Sequence, residues 1–107
     1  MDEQGALTEA VYYILLSLDS PLHGYGIMQR VKEMSGGRVA LGAGTLYGAL
    51  NTLCARGWIE PAASDARRKE YQLTQAGRAA LRAEVRRLGE LYQNGIHILG
   101  GKDDAQA

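Results

Sequence analysis

The sequence predicts a mainly α-helical protein with a small β-hairpin, in which three helices precede the hairpin and one long helix follows it. Apolar residues recur at helical spacing in four segments. Two short segments between the third and fourth of these have the composition of strands. The length of 107 residues allows one domain with a modest core.

Composition disfavours several classes of protein. The single cysteine, Cys54, cannot form an intrachain disulfide, which fits a reducing compartment and predicts a cytoplasmic location. No apolar run approaches the roughly 20 residues that span a bilayer, and Asp2 and Glu3 differ from the basic start of a secretory signal. A large enzyme, a membrane protein and a disulfide-stabilised toxin are therefore disfavoured.

The charge is unevenly distributed although twelve basic residues balance twelve acidic ones. Residues 22–87 hold eleven bases against five acids, and both ends of the chain are acidic. Such a pattern can build a positive face on a neutral molecule. From charge alone, an ordinary solvated surface is an equally good interpretation.

The first three helices are predicted from apolar periodicity and from their terminators. The first carries one apolar face, formed by Leu7, Val11, Ile14, Leu15 and Leu18, and Pro21 follows its end. The second is expected to open at His23 or Gly24 and to stop before Gly36-Gly37. The third is expected over residues 44–56, with Cys54 on its apolar face as a small buried hydrophobe.

The hairpin and the last helix complete the chain. Residues 58–61 and 70–73 are the expected strands, with Trp58 in the core and a basic loop between the strands. Thr74 is placed to cap a last helix, in which Asn94-Gly95 is an expected interruption. A heptad-like apolar face on this helix is formed by Leu81, Val85, Leu88 and Tyr92.

This order of elements is that of a winged helix-turn-helix with an added C-terminal helix. We expect residues 1–73 to form the DNA-binding domain, residues 74–99 a dimerisation helix, and residues 100–107 a disordered tail. In that architecture the third helix enters the DNA major groove and the hairpin, or wing, reaches the flanking backbone.

The outward face of the third helix is small and polar. No charged residue occurs between Val39 and Ala55, whereas an ordinary solvated face usually carries Lys and Glu. Small residues would let the helix approach base edges, and amide and hydroxyl groups can bond bases or phosphates. The candidate contacts on this face are Gly44, Thr45, Tyr47, Gly48, Asn51 and Thr52. At the tip of the wing, Arg67, Arg68 and Lys69 are candidate phosphate contacts.

Several segments together resemble the PadR family of bacterial transcriptional regulators. The motifs are LHGYGI at residues 22–27, GTLYGAL at 44–50, LCARGWI at 53–59 and YQLTQAG at 71–77. The resemblance spans about residues 7 to 92 and is similar to the short branch of the family, with one C-terminal helix. Many members have proline where this chain has Ala43 and Gly48, so the start of the third helix is expected to be less restricted.

The resemblance implies a homodimer that binds a near-palindromic operator in double-stranded DNA, usually as a repressor, and that an effector releases. It places Tyr25, Gly44, Thr45 and Tyr47 at positions of the DNA-contacting motif, beside the wing bases. It also implies that the last helix supplies most of the dimer contact, often with the partner's first helix, so Leu7 and Val11 join the apolar face of the last helix as expected interface residues.

Other functions have less support in the sequence. Some members of the family bind flat aromatic compounds at the dimer centre, and Tyr12, Tyr13 and Tyr92 could line such a site, although aromatic residues on helices more often belong to a core. No catalytic, cofactor or metal site is expected, since the two histidines have no ligands at metal spacing. The alternative function is a winged helix that contacts another protein and binds no DNA.

Overall fold

The computed structural model describes residues 5–62 and 68–100. Within these residues the chain forms α1 (Glu9–Ser17), β1 (Leu22–His23), α2 (Gly24–Met34), α3 (Ala43–Arg56), β2 (Ile59–Ala62), β3 (Glu70–Leu73) and α4 (Gln75–Leu99). This confirms a mainly helical fold with a β-hairpin between the third and fourth helices. The predicted tail, residues 100–107, lies outside the described residues except for Gly100.

The sheet has one strand more than the predicted hairpin. β2 and β3 pair antiparallel as expected, and β1 adds to the other edge of β3, so that His23 lies opposite Glu70. A strand of two residues shows no alternation in a sequence, and its partner is more than 45 residues away along the chain. The start of α2 is thereby fixed to the base of the wing.

The core forms where the apolar faces of α1, α2 and α3 meet the sheet. Its buried members are Ile14, Leu15, Leu18, Ile27, Val31, Leu46, Leu50, Leu53, Ile59 and Tyr71. Cys54 and Trp58 were predicted to be buried in the core, and the structure places both at its edge, partly buried and packed against this cluster. Because the leucines of α3 all face inward, the opposite side of that helix is presented to solvent.

The last helix begins as predicted and continues further than predicted. The Thr74 hydroxyl accepts the Gly77 amide at 3.0 Å, which is an N-cap. α4 passes through Asn94 and Gly95 without a break, so the expected interruption is wrong. A glycine costs a helix about 1 kcal/mol, which a helix of 25 residues can tolerate. Gly100, at φ 89°, ends the helix.

A buried carboxylate fixes the segment before α1 to α4. Glu84 is 2 % exposed, and both of its oxygens accept from the Arg87 guanidinium, at 2.9 and 2.6 Å. One of them also accepts the Leu7 amide at 3.2 Å. The hydrogen bonds from Arg87 lower the pKa of Glu84 below its ordinary value of 4.5, against the opposing effect of burial.

Replacing Glu84 with Gln should destabilise the fold by about 1 to 2 kcal/mol near neutral pH, because charge-assisted hydrogen bonds are lost. A carboxyl group whose folded pKa is lowered stabilises the fold above its unfolded pKa, and this stabilisation disappears as the pH falls through the folded pKa. The difference between the parent and Glu84→Gln should therefore shrink below about pH 4.5 in urea unfolding curves. A difference that is constant from pH 7 to 3 would contradict this account.

Candidate nucleic-acid interface

The outward face of α3 carries all six residues that the sequence analysis selected on this helix. Each of them is exposed: Gly44, Thr45, Tyr47, Gly48, Asn51 and Thr52. A Cβ atom built at Gly44 or Gly48 would meet nothing within 4 Å, so these glycines face open space and do not pack against the protein. The result is a shallow, uncharged surface along the helix.

The polar groups of this face differ in what they can offer a ligand. The Thr52 hydroxyl donates to the Gly48 carbonyl at 3.2 Å, which leaves its lone pairs and methyl group toward solvent. The Asn51 side chain is exposed and retains both donor and acceptor capacity. This pair of side chains can therefore accept and donate hydrogen bonds at neighbouring positions.

A cavity of about 430 Å³ lies where the start of α2, the side of α3 and the wing meet. Its lining brings two tyrosines of the predicted site together with two wing bases: His23, Gly24, Tyr25, Tyr47, Arg68, Lys69 and Tyr71. Tyr25 and Tyr47 are 62 % and 46 % exposed. The third wing base, Arg67, lies outside the described residues.

The position of Tyr47 depends on a glycine in the neighbouring helix. A Cβ atom at Gly24 would lie 2.1 Å from the Tyr47 hydroxyl oxygen and 2.7 Å from the ring carbon that carries it. Only a residue without a side chain therefore allows Tyr47 to lie against the first turn of α2. The glycine of the LHGYGI motif thus has a packing role in this surface.

Tyr71 lines the cavity, and the charged end of Lys69 lies over its ring. Burial raises the pKa of Tyr71, and the nearby Cys54 and Tyr47 raise it further, so its ring stays uncharged at neutral pH. The Lys69 ammonium lies 5.7 Å from the centre of the Tyr71 ring, within the range of a cation–π contact. This contact positions a wing base over the cavity.

His23 also lines this cavity, although its sequence position did not predict a place in the site. The sequence assigned it only to the start of α2, and the structure confirms that role, since its Nδ1 accepts the Gly26 amide at 3.2 Å. Its Nε2 lies 2.6 Å from Nη1 of Arg68. The wing is 45 residues away along the chain, and sequence spacing cannot show that the two meet.

The residues predicted for a dimer interface differ in their exposure in the single chain. Leu7, Val11 and Leu81 are partly buried and pack against the core. Val85, Leu88 and Tyr92 are exposed on α4, where Leu91, Ile98 and Leu99 are exposed as well. The heptad spacing selected only part of this apolar surface, because Leu91 falls outside that spacing and because Ile98 and Leu99 follow the expected interruption at Asn94-Gly95.

Two of the three aromatic residues proposed for a ligand site lie together. Tyr12 and Tyr13 are in edge-to-face contact, with ring centres 5.8 Å apart, and both line a cavity of about 290 Å³. The remainder of its lining is Leu7, Glu9, Glu84, Arg87 and Leu88. Tyr92 lines a separate surface cavity further along α4, beside Asn94.

Residues 5–62 and 68–100 offer neither a metal site nor a membrane-spanning helix. No group of three His, Cys, Asp or Glu side chains there could hold a metal ion. In the same part of the chain no helix has the length and apolarity needed to cross a membrane.

Comparison with known proteins places these features in a family. The model of the transcriptional regulator PadR-like family matches residues 13–83. An uncharacterized 37.1 kDa protein in transposon TN4556 of Streptomyces fradiae is 39 % identical over 84 residues. That alignment covers 78 % of this chain but only 24 % of the relative, so the chain spans about a quarter of that protein's length.

Two solved structures show the same architecture. A PadR family transcription regulator from Clostridium difficile R20291 is 25 % identical, with a TM-score of 0.73 over 85 % of this chain and 98 % of that one. PadR of Bacillus subtilis in complex with operator DNA is 28 % identical, with a TM-score of 0.59 over 70 % of this chain and 45 % of that one. With the fold, the motifs and the family match in agreement, this chain belongs to the PadR-like family of transcriptional regulators.

Proposed function

We propose that this protein is a DNA-binding transcriptional repressor of the cytoplasm, which binds a near-palindromic operator as a homodimer and is released by an effector. The observation that carries the proposal is the exposed, uncharged face of α3 beside a cavity that Arg68 and Lys69 line. The match of Bacillus subtilis PadR, a structure with operator DNA, supports the same function.

In the proposed complex α3 lies in the major groove. Gly44 and Gly48 allow close approach, Asn51 pairs with adenine, and Thr45 and Thr52 bond phosphates or touch thymine methyl groups. Tyr25 and Tyr47 contact the backbone at the side of the groove. The wing bases Arg67, Arg68 and Lys69 bind phosphates and displace counterions.

The homodimer is proposed to form through α4. The exposed apolar residues Val85, Leu88 and Tyr92 would be buried against a partner, near the partner's Leu7 and Val11. A two-fold axis would place the two α3 helices about 34 Å apart, on symmetric half-sites. In this arrangement residues 1–73 bind DNA and α4 sets their spacing.

An effector would act by changing that spacing. The cavity beside Tyr12 and Tyr13 combines these two rings and two leucines with the charged side chains of Glu9, Glu84 and Arg87, a lining that suits an aromatic compound with a polar substituent. Tyr92 of a partner could complete it. A compound that binds better to one arrangement of the α4 pair shifts the dimer toward that arrangement. DNA is released if that arrangement no longer matches the half-sites.

Replacing Tyr47 with Ala should weaken operator binding about tenfold, because an exposed ring at the edge of the proposed interface is lost while the core is untouched. The operator is first selected from a random duplex pool, and a recovered palindrome would support both the function and its symmetry. Affinity is then measured by gel-shift titration.

Arg68→Gln should weaken binding to all sequences and reduce the salt dependence by about one counterion.

Light scattering should show the same mass for Tyr47→Ala as for the parent. Parent-like affinity of both variants would refute the site assignment. Failure of the parent to bind any duplex at low salt, together with capture of a specific protein, would instead favour a protein-contact module.

A further inference from the structure

The backbone of Gly24, the first residue of α2, does not itself require glycine. Its φ is not positive, so the main chain there can accept an alanine. The three atoms nearest to a Cβ built at Gly24 all belong to Tyr47: the hydroxyl oxygen at 2.1 Å, Cζ at 2.7 Å and Cε1 at 3.3 Å. The end of the Tyr47 ring therefore occupies the space that a side chain at residue 24 would fill.

The main chain at Gly24 is held in place, whereas the ring of Tyr47 is free to turn away. The residue before Gly24 belongs to β1, which pairs with β3, and α2 follows at once. Gly24 is buried, and Tyr47 is 46 % exposed. An added methyl group would therefore displace the ring, which can rotate into solvent, and leave the backbone where the sheet fixes it.

The orientation of this ring matters because Tyr47 is a proposed contact of the DNA backbone. The ring lines the cavity beside the wing, together with Tyr25 and Lys69. A side chain that is already held in its bound orientation loses less conformational freedom on association than one that is free to turn. The ring that lies against Gly24 is thus prepared for the duplex, and a ring turned away from Gly24 is not.

We propose that Gly24 is a positioning residue for operator binding, which acts through Tyr47 and contacts no DNA itself. This inference rests on the proposed function and adds to it the residue that sets the orientation of a proposed contact. It also joins the motifs LHGYGI and GTLYGAL, because the glycine of the first receives the tyrosine of the second. Any side chain at residue 24 should weaken operator binding without unfolding the protein.

The contact can be tested in the free parent protein, without a variant. Nuclear Overhauser spectra should show a cross-peak between the α protons of Gly24 and the Tyr47 ring protons next to the hydroxyl. The same ring signals should lose their contact with residue 24 in Gly24→Ala. A parent spectrum in which the Tyr47 ring shows no contact with Gly24 would overturn the inference and leave the proposed function standing.

A double-mutant cycle then separates positioning from a general structural role. Gly24→Ala should weaken operator binding about tenfold, as Tyr47→Ala does, because both remove the same oriented ring. The double variant should bind about as tightly as Tyr47→Ala alone, because the three atoms that the new methyl group displaces are then absent. The thermal midpoint of Gly24→Ala should stay close to that of the parent, since alanine suits a helix better than glycine.

Gly89→Ala is the matched control, because Gly89 is an exposed helical glycine whose added Cβ would meet nothing within 4 Å. It should bind the operator as the parent does. Parent-like affinity of Gly24→Ala, or losses that add up in the double variant, would overturn the inference alone. If Tyr47→Ala itself bound like the parent, or the parent bound no duplex, the proposed site or function would fail and this inference with it.

Discussion

Replacing Leu88 with Arg is expected to convert the protein to monomers and to weaken operator binding about 100-fold, since two linked half-sites bind far more tightly than one. Leu88 is 36 % exposed in the single chain and lies on the apolar surface of α4. In a two-fold dimer each substitution occurs twice at the same interface, so two charges would be buried close together. Light scattering measures the mass, and gel-shift titration measures the affinity.

Ala83→Arg is the matched control for this experiment. Ala83 is exposed on the same helix, about 140° around its axis from Leu88, so the added charge remains in solvent. It should leave the dimer and its affinity unchanged. A dimeric Leu88→Arg protein with parent-like affinity would show that α4 is not the dimerisation surface.

Gly77→Ala should destabilise the fold by about 2 to 3 kcal/mol, the cost of forcing extra volume into a packed site. A Cβ atom at Gly77 would lie 1.9 Å from the Trp58 carbonyl oxygen. That oxygen also accepts the Thr74 amide at 3.0 Å, and the Thr74 hydroxyl donates to the Gly57 carbonyl at 2.6 Å. The clash is with backbone, which cannot move without separating the start of α4 from the wing.

Gly95→Ala provides the comparison for Gly77→Ala in the same helix. A Cβ atom at Gly95 would meet nothing within 4 Å, so alanine should raise the stability by up to about 1 kcal/mol through helix propensity. The free energies of unfolding come from urea titration followed by circular dichroism. Equal stability of Gly77→Ala and the parent would show that the contact between α4 and Trp58 is looser than described.

Sequence patterns predicted the helices because residues three or four positions apart lie on the same face of a helix, so the spacing of apolar residues shows which face is buried. The leucines of α3 repeat at helical spacing, and the residues between them are small and polar, so the inward and outward faces were both predictable. The cap at Thr74 was predictable for the same reason, since the cap and its amide lie three residues apart. The direction of the α3 face toward solvent followed from these patterns alone.

What the sequence by itself determined is therefore the order of the elements, the outward face of α3 and the basic character of the wing. Tertiary structure decided what meets across the chain: β1 against β3, Gly24 beneath Tyr47, Gly77 against Trp58, and His23 against Arg68. Contacts of this kind join residues more than 18 positions apart, and the spacing of neighbouring residues in the sequence does not predict them. They arise only when burial of the core brings distant segments together, which is why the histidine of the site had to be found in the structure.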